Sequence, residues 1–177
     1  MYLISIYFDD KTEYKMQSLI NNITDVTGNT FMIDNNIPPH LTLQAFDTRD
    51  EERALQIFED NVCNLSSGSL LFASIGAFKK QVLYLEPVLN EYLHNMSLET
   101  YKMLESIPDI KFSPYYKPFG WIPHVSVGKH LDERQLEEAF KVVMKQFTPL
   151  EGEVTRIGIA KTNPHRDLRV INLVKKY

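Results

Sequence analysis

Two short segments of the chain each place a histidine two positions before a hydroxyl residue. Residues 39–43 read Pro-His-Leu-Thr-Leu, and residues 123–127 read Pro-His-Val-Ser-Val. Successive side chains of a β-strand point to opposite faces. The histidine and the hydroxyl of each segment would therefore share one face, while the apolar residues between them face a core. Two such segments predict one site assembled from two halves of the chain.

The four polar side chains of these segments suit displacement at an anionic phosphorus centre. Imidazole titrates near neutral pH, so His40 and His124 can work as an acid–base pair. Two like charges disfavour each other, which favours one neutral and one protonated ring. The hydroxyls of Thr42 and Ser126 can donate to the non-bridging oxygens of an anion. These properties predict a phosphodiester substrate.

Neither segment supplies the ligands of a metal site. Both lack Asp and Glu, whereas metal-assisted hydrolysis of phosphoesters uses carboxylate-rich ligand sets. Zinc would need at least a third protein ligand, and no His-rich or Cys-rich spacing provides one. We therefore predict a site that works with no metal and no cofactor.

Length and composition limit the classes of protein that fit. The 177 residues suit a single domain over 1–177. A net charge of −4 argues against a protein that coats long nucleic acid, but leaves a nucleotide or an RNA end as a partner. Cys63 is the sole cysteine, and the apolar run 1–8 is too short for a signal sequence or a membrane span. We expect a cytoplasmic protein without a membrane partner, and the sequence leaves its oligomeric state open.

The pattern of elements is repeated in the two halves of the chain. After His40 come a helix, with a predicted capping box over 48–51, and two strands. After His124 come a helix capped by Asp132 and Gln135, and again two strands. The predicted strands are 69–78 and 81–86 in the first half and 153–161 and 167–175 in the second. Further helices are predicted after the first strand and over 89–103, the latter starting at Pro87.

This order predicts an α+β fold. We expect two mainly antiparallel sheets with flanking helices, related by pseudo-two-fold symmetry about a shared central cleft. Lys79 and Lys80 are predicted to form the turn of the first strand pair, and residues 162–166 that of the second.

A second group of residues is predicted to border the cleft. Lys129 is a candidate for contact with the phosphate, and the long irregular stretch 107–121 is expected to carry much of the substrate choice. The aromatic candidates for stacking on a nucleobase are Tyr84, Tyr116, Phe119 and Trp121. Three other histidines are predicted to face solvent: His94, His130 and His165.

The paired Pro-His-x-Thr/Ser segments resemble the signature of the 2H phosphoesterase superfamily, in particular its 2',5'-RNA ligase-like branch of RNA 2',3'-cyclic phosphodiesterases. The resemblance covers nearly the full length, with the first motif around 38–46 and the second around 121–129. It implies a bilobal fold and metal-independent hydrolysis of 2',3'-cyclic phosphates or 2'-5' linkages at RNA or nucleotide ends. By the same likeness His124 would be the base and His40 the acid, although chain order alone does not decide between them.

The sequence departs from the family pattern at two positions. Ser126 replaces the commoner threonine, and Phe119 stands where an arginine is usual before the second motif. From the paired motifs and the resemblance together we predict a His/His phosphodiesterase for 2',3'-cyclic phosphates, and we retain two alternatives. One is a 2'-5' oligonucleotide phosphodiesterase or ligase, and the other is a binding module that holds a nucleotide without turnover.

Overall fold

The computed structural model describes residues 1–79, 81–162 and 164–175. Lys80 and Asn163, which the sequence places in the two predicted turns, lie outside the described residues. The strands are β1 (Tyr2–Phe8), β2 (Leu41–Asp47), β3 (Gly68–Phe78), β4 (Val82–Pro87), β5 (Lys111–Phe112), β6 (Val125–Gly128), β7 (Leu150–Lys161) and β8 (Arg166–Asn172). The α-helices are α1 (Asp10–Thr27), α2 (Phe31–Asp34), α3 (Glu51–Asn61), α4 (Glu91–Leu104) and α5 (Glu133–Gln146), with 3-10 turns at Val62–Asn64 and Pro114–Tyr116.

All strand pairs within the described chain are antiparallel. Seven strands follow the order β5-β2-β1-β7-β3-β4-β6, and β8 also pairs with β7. The predicted α+β class with antiparallel strands is confirmed.

The two predicted sheets are joined through β7. This strand is 12 residues long, so its first part pairs with β3 and its second part pairs with β8, while β1 runs along its other side. Hydrogen bonds therefore link the eight described strands into one sheet, where the sequence predicted two. The halves survive as the β2–β1 side, which carries His40, and the β4–β6 side, which carries His124.

The strands that bear the two motifs are anchored by their apolar residues. Leu41, Leu43, Val125 and Val127 are fully buried in the core, as alternation along a strand predicts. Each motif is therefore fixed from behind, with its histidine and hydroxyl residue on the other face.

The helix starts were predicted with mixed success. The capping box of Asp132 and Gln135 at the start of α5 is confirmed. The box predicted over 48–51 is wrong: Asp50 caps α3 by accepting from the backbone N–H of Arg53, and the Thr48 hydroxyl donates instead to Asp109 at 2.6 Å. Pro87 ends β4 and does not start α4, whose N-cap is Asn90.

No helix in the described ranges has both the length and the apolar character needed to cross a membrane.

Candidate active site

The imidazoles of the two motifs are oriented by the same interaction. The Nδ1 of His40 lies 2.7 Å from the carbonyl oxygen of Pro38, and the Nδ1 of His124 lies 2.8 Å from that of Ile122. A carbonyl oxygen only accepts hydrogen bonds, so Nδ1 of each ring carries a hydrogen. This leaves Nε2 of each ring as the nitrogen available to a substrate.

Both histidines line one cavity of about 130 Å³. Thr42, Ser126 and Lys129 line the same cavity, so two hydroxyls and one ammonium group accompany the two rings. A cavity of this volume can hold a phosphate-sized group. The cavity thus combines two proton-transfer groups with donors for an anion.

Burial and neighbouring charges disfavour a proton on His40. Desolvation lowers the pKa of His40 to about 4, against the pull of the Pro38 carbonyl. The charges of His165, Lys129 and His124 act in the same direction as the desolvation.

The charges around His124 differ from those around His40, because a carboxylate acts on His124. Desolvation also lowers the pKa of His124, and the charge of Lys129 adds to it, but the Ile122 carbonyl and the carboxylate of Glu86 oppose that shift. The electrostatics of the free site therefore favour a neutral His40, with a proton retained more readily on His124. Burial also lowers the pKa of Lys129.

A family model, the 2'-5' RNA ligase superfamily, matches residues 17–166. The chain belongs to this superfamily. The match spans both histidine motifs and most of the sheet.

Solved structures share the fold of this superfamily member at low sequence identity. LigT of Escherichia coli in complex with 3'-AMP is 14% identical, with a TM-score of 0.60 and 98% of each chain covered. TT0787 of Thermus thermophilus is 13% identical, with a TM-score of 0.62 and 99% of each chain covered. A structure described only as a phosphoesterase is 13% identical, with a TM-score of 0.60 and 98% of each chain covered. No curated protein matches the sequence.

A larger cavity of about 460 Å³ adjoins the histidine cavity in this 2'-5' RNA ligase superfamily chain. His124, Ser126, Lys129 and Tyr116 border both cavities. The other residues lining the larger cavity are mostly apolar or aromatic: Phe78, Val82, Pro114, Tyr115 and Ile122, with Lys79 and Gly120. A planar apolar group attached to a phosphate would therefore find its place beside His124.

The predicted aromatic candidates are distributed unevenly. Tyr116 borders both cavities. Tyr84 is buried, stacks on Phe78 with ring centroids 4.3 Å apart and lies 5.4 Å from the ring of His124. Tyr84 therefore supports the histidine from behind.

The other two aromatic candidates are not brought to the site. Trp121 packs in the core and Phe119 is 82% exposed, and neither belongs to the described lining of the two cavities. The ring of Phe119 stacks on His94, with centroids 4.3 Å apart, so His94 is partly covered and does not face solvent freely. Trp121 and Phe119 are thus close to the second motif in sequence, but their side chains do not line the cavities beside His124.

The prediction that His165 faces solvent is wrong. Its side chain is only 7% exposed, and its ring centroid lies 5.4 Å from that of His40. Tyr7 on β1 also lies beside His40, with the two ring centroids 6.4 Å apart. His130 is exposed, as predicted.

Sequence reasoning missed Phe78 and Tyr7, which border the two histidines. Tyr7 shares a face of β1 with Ser5, and Ser5 pairs with Thr42 of β2, a pairing that the sequence pattern does not reveal. Phe78 ends a strand whose register could not be read from the sequence. Its ring meets that of His124 edge-on at 4.9 Å.

No group of three or more His, Cys, Asp or Glu residues within the described ranges is arranged to hold a metal ion.

Proposed function

We propose that the protein is a phosphodiesterase that opens 2',3'-cyclic phosphate ends of RNA or nucleotides, using His40 and His124 as proton-transfer groups and no metal. The observation that carries this proposal is the shared cavity, which both imidazoles line together with two hydroxyls and a lysine while the Nδ1 of each ring is engaged by a backbone carbonyl. The family membership agrees with phosphoester chemistry.

The scissile phosphate occupies the smaller cavity. The hydroxyls of Thr42 and Ser126 donate to its non-bridging oxygens, and the ammonium group of Lys129 compensates the charge that develops on them. Thr42 is held in place through its contact with the hydroxyl of Ser5, at 3.3 Å between the oxygens.

The reaction needs one group to take a proton and one to give it. A water oxygen attacks phosphorus as one imidazole Nε2 takes its proton, and the second imidazole protonates the departing ribose oxygen. The products are a phosphomonoester and a free hydroxyl. We assign His40 as the base and His124 as the acid, because the free site favours a neutral His40. This reverses the roles that the resemblance implies.

The nucleoside fits the larger cavity next to His124. Its lining is mainly apolar and includes the rings of Phe78, Tyr115 and Tyr116, and base–aromatic stacking tolerates any base. In the solved structures of E. coli LigT, complexes with 3'-AMP and with ATP have been described. We therefore expect a nucleotide, rather than a small phosphodiester without a base, to be the better substrate.

The test is turnover of a 2',3'-cyclic mononucleotide and of a 2'-5' dinucleotide by the purified protein, each with and without EDTA. We expect turnover of the cyclic nucleotide, unchanged by EDTA. His40→Asn and His124→Asn should each lose about 10²–10⁴-fold in kcat, and the exposed His130→Asn serves as the matched control.

Three results would redirect the proposal. Turnover of the 2'-5' dinucleotide alone would support the alternative diesterase or ligase. Binding of nucleotides without turnover of either substrate would support a binding module. Strong loss of activity with EDTA would contradict the metal-independent mechanism.

A further inference from the structure

A third histidine stands next to His40. His165 precedes β8, its side chain is almost fully enclosed, and its ring lies 5.4 Å from the ring of His40 at an angle of 35°. Its backbone N–H donates to the carbonyl of Asn35 at 3.2 Å. The proposed reaction assigns no role to this histidine.

A single carboxylate oxygen ties together the two rings that flank His40. Oδ1 of Asp167 accepts from the Tyr7 hydroxyl at 2.6 Å and lies 3.0 Å from Nε2 of His165. Desolvation would raise the pKa of Asp167, but the hydrogen bonds from His165 and Tyr7 outweigh it and lower that pKa. An ionised carboxylate only accepts, so Nε2 of His165 carries a hydrogen and the ring is held in one orientation.

The neighbours of the two motif histidines are therefore chemically different. The charge of Lys129 acts on both histidines. The rings around His124 are those of Phe78, Tyr84 and Tyr116, none of which is a cation at neutral pH. His40 has a histidine held by a carboxylate on one side. Two motifs that match in sequence thus meet different electrostatic environments.

We propose that His165, fixed by Asp167, is a positioning residue for His40. It packs beside the His40 imidazole, and whenever His165 carries a second proton its charge disfavours one on His40. His165 thereby adds to the desolvation that favours a neutral His40, and this neighbour distinguishes His40 from His124. The assignment of His40 as a reacting group rests on the proposed function, whereas the coupling between His165 and His40 does not.

Other charged groups act on His40 from the elements around it. Lys129 and His124, which flank β6 in sequence, disfavour its protonation, while Asp167 on β8 lies beyond His165 and favours it. Tyr7 on β1 contributes a neutral hydroxyl that is committed to Asp167. A test must therefore alter His165 and leave these groups in place.

The test compares His165→Gln, which retains an amide donor for Asp167 and cannot be protonated, with His165→Arg, which retains both a donor and a permanent charge. The exposed His130→Gln is the control. The first measurement is the titration of the His40 ring by NMR of histidine-labelled protein, with the His40 signal assigned from His40→Asn. The second is the pH dependence of kcat/KM with a 2',3'-cyclic mononucleotide.

We expect His165→Gln to move the His40 titration, and with it the acidic limb of kcat/KM, upward by about one pH unit. His165→Arg should hold both near the values of the unaltered protein, and His130→Gln should change neither. Identical His40 titrations in the unaltered protein and in His165→Gln would overturn the proposal. Lack of turnover by the unaltered protein would count against the proposed function, and the NMR titration would still decide whether His165 controls His40.

Discussion

Gly76 lies directly opposite Tyr84 across the antiparallel pair of β3 and β4, and the tyrosine ring lies over it. A Cβ atom added at Gly76 would overlap the phenol ring of Tyr84. The same ring lies against His124. In the other half of the molecule, a Cβ at Gly158 would meet the backbone oxygen of Arg169 at 2.9 Å and the ring of Tyr7 at 3.0 Å. A tyrosine ring therefore lies beside each of the two motif histidines, and each ring passes close to a glycine.

The first prediction concerns Gly76→Ala. The added methyl group must displace the Tyr84 ring, so we expect the free energy of unfolding to fall by about 1–3 kcal/mol and turnover to fall as His124 loses its support. Urea unfolding of Gly76→Ala alone and in a Tyr84→Leu background measures the coupling between the two positions. The cost of the alanine should be much smaller in the second background, and an equal cost in both would show that the tyrosine ring is not the obstacle.

The second prediction separates two aromatic residues close in sequence. Tyr116 borders both cavities, whereas Phe119 is exposed and stacks on His94. Tyr116→Leu should raise KM for a cyclic nucleotide about 10-fold, the order expected for one lost base–aromatic stack, with a smaller effect on a phosphodiester that has no base. Phe119→Leu is the matched control and should leave both substrates unchanged. Equal effects of the two substitutions would contradict the placement of the nucleoside.

Local rules predicted the parts of this molecule that depend on local geometry. Alternation along a strand placed Leu41 and Val125 in the core, and the spacing of Asp132 and Gln135 identified the start of α5. The repeated motifs also led to the two histidines that share a cavity. Thr48 and Asp50 are both candidates for the N-cap of α3 in the sequence. The hydroxyl of Thr48 is engaged by Asp109, which is distant in sequence, and Asp50 is the cap.

The surroundings of each histidine could not be predicted in this way. His165 follows a proline in a polar turn, a context typical of exposed residues, and only the pairing of β8 with β7 places it beside His40. Trp121 and Phe119 are neighbours of the second motif in sequence, but their side chains go to the core and to α4. Tertiary contacts determine which residues meet across the cleft, and the periodicity of the sequence does not predict those contacts.

A third prediction tests which histidine gives the proton. A phosphodiester with a nitrophenolate leaving group needs no proton on the departing oxygen, so removal of the acid should be tolerated on that substrate. We expect His124→Asn to lose far less activity on the nitrophenyl diester than on a cyclic nucleotide, while His40→Asn loses activity on both. The relevant measurement is kcat/KM for each variant on each substrate. The reverse pattern would restore the roles implied by the family resemblance.

The fourth prediction links the electrostatics of His40 to stability. Its pKa is lowered to about 4 in the folded protein, whereas in the unfolded chain the ring takes up a proton near the ordinary value of about 6.5. Between these two values the unfolded state binds more protons than the native state, so stability falls as the pH falls through this window. Above about pH 6.5 both states leave His40 neutral, and the free energy of unfolding is at its full value. Towards pH 4 the free energy of unfolding falls by about 2–3 kcal/mol, for a ring that is partly exposed.

Urea unfolding of the unaltered protein and of His40→Asn at pH 7 and at pH 4.5 measures this contribution. The variant cannot take up the proton, so it should lose less stability between the two pH values than the unaltered protein does. His130→Asn removes an exposed histidine and should retain the full pH dependence. If His40→Asn and His130→Asn lose the same stability on acidification, the proton is not excluded from His40 in the folded protein. The basis for assigning His40 as the base would then be removed, because a ring that is readily protonated near neutral pH has no preference for the neutral role.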